Sequence, residues 1–512
     1  MTTGNVGIIA AIVSYMCFIL RVGYTISKQN EKSSEGFYLG GRKLGPFVAA
    51  MSAEASDMSS WLLMGLPGVA YFTGLADAAW TAIGLGIGTY LNWLLVAKRL
   101  RAYSIKLDAI TVPDFFSKRF HDSKNIIILI SSVIIVVFFV PYTASGFKAV
   151  GTLFSTLFGF DYHAAMIAGA AIIITYTILG GFLAVATIDL IQSIVMSIAL
   201  LIIVAFGIYT AGGWDAVVAN ATSVGGYLSL THIADVSTGA VSDYGFLKIL
   251  STLAWGLGYF GMPHVLVRFM AMSDGEDIKL SRRVATSWVF VSMAVAILIG
   301  FVGNACSANG AIRTFRTNAE AETTIISLAH ILSENGFALA LIAGIVIAGI
   351  LACTMSTADS QLLVAASAVS ENLIQDFFKV KLTQKQSMTA ARIVIIAIAV
   401  ISVFLAWNPN SSVFTTVSFA WAGFGATFGP VMLLALFNND TNLNGVVAGM
   451  VASGVTVFAW KFLVKPLGGI WNIYELLPAF LVGVVVIIAV SKLTGGASRE
   501  IKAEFSEISA RK

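Results

Sequence analysis

The chain has 512 residues, 57% of them hydrophobic and only 11% charged, where a soluble domain carries about 25% charged residues. That deficit excludes an ordinary water-soluble globular fold, and the modest net charge of +4 implies no nucleic-acid partner. Apolar blocks of about 20 residues, the length a helix needs to cross hydrocarbon, recur along the whole chain. The short alternating segments of a membrane barrel do not appear.

The expected fold is therefore an all-α polytopic membrane protein, since only helices satisfy their backbone locally in lipid. Thirteen transmembrane helices are expected, over residues 5–27, 45–74, 76–97, 125–156, 162–186, 187–211, 246–272, 284–306, 336–372, 390–407, 412–437, 442–464 and 472–491. The first block has no basic leader and no small-residue cleavage site, so it reads as a retained span rather than a signal peptide. With the N-terminus outside, 24 of the 31 Lys and Arg residues fall in cytoplasmic segments and four fall outside. The inside set includes Lys28, Lys32, Arg42, Arg268 and the tail residues Arg511 and Lys512. This asymmetry predicts an outside N-terminus and a cytoplasmic C-terminus in the cell membrane.

Two spans are interrupted. The second holds AEASDMSSWLLMGLPG (Ala53 to Gly68), with two carboxylates and a Pro-Gly. The seventh holds AWGLGYFGMPHV (Ala254 to Val265), with three glycines and a proline. Such breaks persist where backbone lines a cavity or is buried in protein. Broken helices at corresponding positions of two inverted halves mark the central site of a secondary transporter; two Gly-rich packing helices are the alternative.

Several constellations carry chemistry. Around the first break, freed carbonyls with Ser56 and Asp57 supply hard oxygen donors for an alkali cation, and an intramembrane carboxylate is a functional candidate by default. In LACTMSTADSQLLV (Leu351 to Val364), Ser356 and Ser360 are i and i+4, with Thr357 and Asp359 beside them, although such hydroxyls also bond back to their own helix. Asp189, in GGFLAVATIDLIQS, sits at an expected cytoplasmic span junction, where relay, cation ligand and interfacial cap all remain open. Trp255, Tyr259 and Pro263 share one helical face, and Tyr142 follows Pro141; an aromatic face suits a small amphipathic ligand or plain packing. Cys17, Cys306 and Cys353 have no metal-ligand spacing and read as packing residues. Of five histidines, only His264 lies beside these segments, so an intramembrane hydrolase is not expected, and no repeated pore filter supports a channel.

The segments YLGGRKLGPF, ASDMSSWLLMGLPG, PYTASG, GGFLAVATIDLIQS, WGLGYFGMPH, MSTADSQLL and FAWAGFGATFGP resemble the sodium:solute symporter family, and within it the sodium/proline symporter branch, over roughly residues 35–495. The resemblance implies a LeuT-like core of five plus five helices in an inverted repeat. Residues 45–211 would form the first repeat and 246–437 the second, with an accessory helix in 1–44 and two more in 438–512. It implies a principal sodium site of Ala55 and Met58 carbonyls, Asp57, the Cys353 carbonyl and the Ser356 and Thr357 hydroxyls. A second cation position would use Asp189, Asp359 and Ser360. Substrate would meet Tyr142, Trp255, Tyr259 and Pro263, and Arg42 would serve coupling or gating. The chain departs from the family pattern at Glu54, Ser60 and Lys148. Two opposite charges on neighbouring core helices predict a Glu54–Lys148 pair, with Lys148 as a built-in cation the rival reading. The expected function is sodium-coupled uptake of L-proline by alternating access, without an organic cofactor or an evident obligate protein partner. Another small amino acid or a carboxylate, with ion coupling altered through Glu54 and Lys148, is the alternative.

Overall fold

The computed structural model describes residues 3–27, 34–179 and 181–510; Lys28, Lys32, Gly180, Arg511 and Lys512 lie outside them. In chain order the main helices are α1 (Thr3–Ser27), α2 (Pro46–Asp57), α3 (Trp61–Thr73), α4 (Leu75–Lys106), α5 (Ile126–Phe158), α6 (Tyr162–Leu179), α7 (Phe182–Thr210) and α8 (Phe246–Leu253). They continue with α9 (Pro263–Met270), α10 (Ile278–Ala308), α11 (Thr324–Glu334), α12 (Phe337–Phe377), α13 (Lys385–Leu405), α14 (Val413–Phe437), α15 (Leu443–Leu467) and α16 (Leu476–Leu493). Among the described residues ten helices are long and apolar enough to cross a membrane. α2, α3, α8, α9 and α11 are shorter, and α6 has 18 residues.

Both expected breaks are present. α2 ends at Asp57, where Met58 leaves helical geometry with ψ 75°. The Ser59 N–H, the partner that Ala55's carbonyl would have in a continuous helix, donates to Asp57 O instead at 2.9 Å. The Ala55 carbonyl is thereby released from its own helix. After α8 the chain runs as a tight 3-10 segment from Ala254 to Gly261 and turns extended at Met262; Pro263 then starts α9 at a position that tolerates its missing N–H. The glycines of this segment permit close approach. A Cβ on Gly256 would lie 2.1 Å from the Gly84 carbonyl of α4, and one on Gly258 would lie 1.8 Å from the Trp421 indole nitrogen of α14. The broken segment is thus wedged between α4 and α14 in the middle of the bundle.

Three sequence expectations shift. The junction expected at 186/187 falls between α6 and α7 near residue 180, so Asp189 is buried two turns inside α7 and does not cap a span. The span expected from residue 472 starts helically at Leu476, because Tyr474 turns inward and its hydroxyl donates to Ser418 O at 2.6 Å. Arg268, counted as a loop cation, is 1% exposed inside the bundle. The long loop 212–245 carries a helix (Trp214–Ser223) and a hairpin of β1 (His232–Asp235) antiparallel to β2 (Ala240–Asp243), so the molecule is not purely helical.

Candidate ion and substrate site

The site grows from the released Ala55 carbonyl. α12 runs past the α2 break, and its Ser356 hydroxyl reaches Ala55 O at 2.8 Å while Thr357 reaches it at 3.4 Å. Ser356 Oγ also lies 3.1 Å from the Cys353 carbonyl. Two hydroxyls and two carbonyls therefore converge where both helices are buried, a set of hard oxygen donors suited to an alkali cation. Met58 sits at the break as expected, with its sulfur 3.9 Å from the Ser292 hydroxyl of α10. Asp57 does not join this cluster through its carboxylate. Its Oδ2 accepts from the Tyr259 hydroxyl at 2.6 Å, and its backbone carbonyl accepts from Tyr142 OH at 2.8 Å and from Trp61 Nε1 at 3.1 Å.

Three elements thus meet at Asp57: α3 through Trp61, α5 through Tyr142 and the 254–261 segment through Tyr259. Trp255 touches this knot only through the Trp61 ring, 6.3 Å away between centroids. Its ring stacks on Tyr474 at 5.2 Å and packs on Phe414 at the same distance, and its carbonyl accepts from Trp421 Nε1 at 2.8 Å. Trp421 in turn meets Tyr259 edge-on at 5.0 Å. A cavity of about 250 Å³ bounded by Trp255, Phe414, Tyr474, Ser251 and Ser418 opens from this aromatic cluster. Pro263 is buried at the start of α9 and makes no polar contact with the other three predicted substrate residues.

The second expected cation position is bridged by a residue that the sequence reading assigned to a loop. Arg268 Nη2 lies 3.1 Å from Asp189 Oδ2 and 2.6 Å from Ser360 Oγ, its Nε donates to Ser52 Oγ at 3.0 Å, and Ser52 donates to Asp189 at 2.7 Å. Asp359 turns elsewhere, accepting from Thr177 of α6. Asp189 and Ser360 are brought together, then, by a fixed guanidinium, with Asp359 beside them on another partner.

The expected Glu54–Lys148 pair is absent. Lys148 Nζ is 3.7 Å from Glu322 Oε2, with both side chains nearly sequestered. Glu322 precedes α11 and its carboxylate also accepts from Ser412 Oγ, Val413 N and Phe414 N at 2.7, 3.0 and 3.1 Å. It caps the first turn of α14, where orphan N–H groups and the helix dipole favour an anion. Glu54 instead accepts from Trp93 Nε1 of α4 at 3.1 Å. Arg42, in left-handed geometry at φ 55°, donates to Met270 O, Ala109 O and Ser104 at 3.0, 2.8 and 3.1 Å and to Glu35 at 3.2 Å. Burial lowers its pKa and Glu35 opposes the shift.

The family model for the sodium:solute symporter family matches residues 37–453. The chain belongs to this family. It is 38% identical over 505 residues to the sodium/proline symporters of Staphylococcus aureus strains NCTC 8325 / PS 47 and COL, covering 97% of this chain and 94% of each relative. Among solved structures, a substrate-bound, outward-open Na+-coupled sialic acid symporter superposes with TM-score 0.78 at 18% identity, over 98% of this chain and 99% of that one. MhsT in complex with L-phenylalanine matches with TM-score 0.54 at 14% identity, over 88% and 99%. The fold is LeuT-like, and the protein is a multi-pass, sodium-coupled solute symporter, not an enzyme.

Sequence reasoning about this symporter missed Arg268, Glu322, Trp61 and Tyr474. Arg268 left a signal, a lone cation inside the apolar run PHVLVRFM, the kind of residue that is functional or paired by default. Glu322 left none, because its three acceptor contacts lie ninety residues away in the chain.

Proposed function

We propose that this chain carries out sodium-coupled uptake of L-proline by alternating access. The observation that carries the ion site is the convergence of Ser356 and Thr357 on the released Ala55 carbonyl. Sodium would bind among the Ala55, Met58 and Cys353 carbonyls and those two hydroxyls, bracing the broken helix. The substrate carboxylate would meet N–H groups and helix N-termini freed at the two breaks. The pyrrolidine ring would lie against Tyr142, Trp255 and Tyr259, beside the α9 start at Pro263. Proline is supported by the 38% identity to sodium/proline symporters over nearly the full chain and by the ring contacts that gather Trp255, Tyr259, Trp421 and Tyr474 beside the Asp57 break.

The same reading takes residues 45–211 and 246–437 as inverted repeats, with accessory helices in 1–44 and 438–512. It counts thirteen crossings: the ten long helices, the broken pairs α2–α3 and α8–α9, and α6. The N-terminus is outside and the C-terminus cytoplasmic. Asp189 and Ser360, linked through Arg268, and nearby Asp359 are a coupling network, and Arg42 fastens the end of α9.

Competition uptake in proteoliposomes tests this, with proline, other amino acids, pantothenate and sugars offered under sodium, lithium and proton gradients. Proline should compete best and sodium should drive best. A different winner among the solutes removes the substrate assignment. Ser356→Ala and Thr357→Ala should each raise the sodium concentration for half-maximal uptake about tenfold, as expected for loss of one coordinating group worth about 1.4 kcal/mol. Unchanged sodium activation in both removes the ion-site assignment.

A further inference from the structure

Glu54 and Asp57 are i and i+3 on α2, both at most 1% exposed, so their carboxylates leave the helix on one side. Among the described residues neither has a Lys, Arg or His partner. Lys148 is engaged by Glu322 and Arg268 by Asp189. Each carboxylate accepts one strong hydrogen bond, Glu54 Oε1 from Trp93 and Asp57 Oδ2 from Tyr259. Each has a second oxygen, Glu54 Oε2 and Asp57 Oδ1, that is buried without a donor. α4 presents a matching face. Thr89, Asn92 and Trp93 are i, i+3 and i+4, and Asn92 Nδ2 donates to the Tyr259 carbonyl at 3.0 Å, which leaves Asn92 Oδ1 buried and unpartnered. Thr89 lies beside the Glu54 carboxylate and the Tyr259 hydroxyl, is 1% exposed, and its Oγ1 completes no hydrogen bond.

We propose that Glu54, Asp57, Thr89 and Asn92 form a second binding site for a monovalent alkali cation, between α2, α4 and the 254–261 segment and separate from the Ala55–Ser356–Thr357 cluster. Two buried anions without a cation are costly, each several kcal/mol in an apolar interior. Two carboxylate oxygens, an amide oxygen and a hydroxyl are the hard donors sodium prefers. Tyr259 ties this site to the aromatic cluster, since its hydroxyl holds Asp57 and its ring meets Trp421. A cation here would therefore fix the wall against which a solute rests, and transport would carry a second charge.

This inference rests on the reading of the α2 break as an ion-binding element, and equilibrium binding of radioactive sodium to the purified full-length protein separates the two. Wild-type protein should bind one more sodium per chain than Glu54→Gln at saturation. Ser356→Ala should instead weaken a different ion about tenfold, so that the double variant binds one ion fewer and holds the other more weakly. Thr89→Val, which exchanges a buried hydroxyl for a methyl, should weaken the Glu54-dependent ion about tenfold and leave the other unaltered. If Glu54→Gln does not remain monodisperse, Thr89→Val decides. Equal sodium counts in wild type and a folded Glu54→Gln overturn the proposal, a proton then being the counter-charge. A weakened ion in Ser356→Ala, with the sodium count unchanged in Glu54→Gln, overturns this site and leaves the first intact. Loss of one ion in Glu54→Gln, with unaltered affinity in Ser356→Ala, supports this site and removes the first.

Discussion

At the scale of single residues, Asp57 is a junction of two different hydrogen bonds from tyrosines. Tyr142 donates to its neutral backbone carbonyl and Tyr259 to its carboxylate. A bond to a charged group contributes about 1.5–3 kcal/mol and a neutral one about 1. Tyr259→Phe should therefore raise the sodium concentration for half-maximal uptake roughly ten- to a hundredfold, and Tyr142→Phe only about fivefold. Sodium titrations of proline uptake at saturating proline check the order, and a reversed order would detach Asp57's carboxylate from ion binding. The reason Asp57, Tyr259, Ser356 and Thr357 were legible is local: polar groups inside long apolar runs are conspicuous, and helical spacing says which share a face. What each touches was not legible. Asp57 read as a ligand beside Ala55, yet its carboxylate turns to Tyr259, because the chain direction after a helix break depends on what packs there.

At the scale of elements, the mistaken partner of Lys148 is the instructive case. Sequence reasoning paired it with the nearest unexplained opposite charge on a core helix. The actual partner stands on the segment leading into α11, which an inventory of long apolar blocks leaves unassigned. Gly68 of α3 allows that segment to approach; a Cβ there would meet Glu322 N at 2.9 Å. Glu322 consequently joins α5 to the start of α14. Removing one member of a buried pair strands the other and costs about 3–5 kcal/mol, whereas removing both charges is far milder. Lys148→Met should thus lower thermal stability markedly, and Lys148→Met combined with Glu322→Gln should recover part of the loss. In a Cys17→Ser background the remaining thiols, Cys306 and Cys353, are both buried, so a thiol-reactive fluorophore reports unfolding directly. A double variant no more stable than Lys148→Met alone would show that the helix cap, not the ion pair, is the essential part of the contact. The broken helices were legible as elements, since Gly and Pro in mid-span leave few other readings. The start of α7 was not, because a continuous apolar run does not reveal where one helix ends and the next begins.

At the scale of the whole molecule, two sets of fastenings lie on either side of the Asp57 knot. On one side Arg42 holds the α9 end, Leu44 pairs with Ala271 and Ser273 through backbone hydrogen bonds of 3.1 and 3.0 Å, and the C-terminal helix Arg499–Ala510 is tied down by Lys502 to Asp440 at 2.7 Å. On the other, Glu322 anchors α14 while Lys461 and Lys465 neutralise the buried Glu475 at 3.3 and 3.2 Å. Basic residues crowd the first side, which also carries the short helix Val112–Arg119, and this remains so although Arg268 belongs to the core rather than to a loop. By the positive-inside rule the proposed orientation would put the Arg42 side in the cytoplasm and the β1–β2 hairpin outside. That assignment has a direct test, because Cys17 is the one exposed cysteine among the described residues. In a Cys17→Ser background, Thr238→Cys at the exposed hairpin tip should react with a membrane-impermeant maleimide in intact cells. Ser506→Cys, exposed on the C-terminal helix, should react only after the membrane is opened. The opposite pattern would invert the protein in the membrane, and with it the direction in which a sodium gradient drives solute. Labelling of Ser418→Cys, on the wall of the cavity beside Trp255, then links orientation to mechanism. Sodium with proline should slow its reaction from the hairpin side if that cavity is the entrance to the site, and an unchanged rate would move the entrance elsewhere.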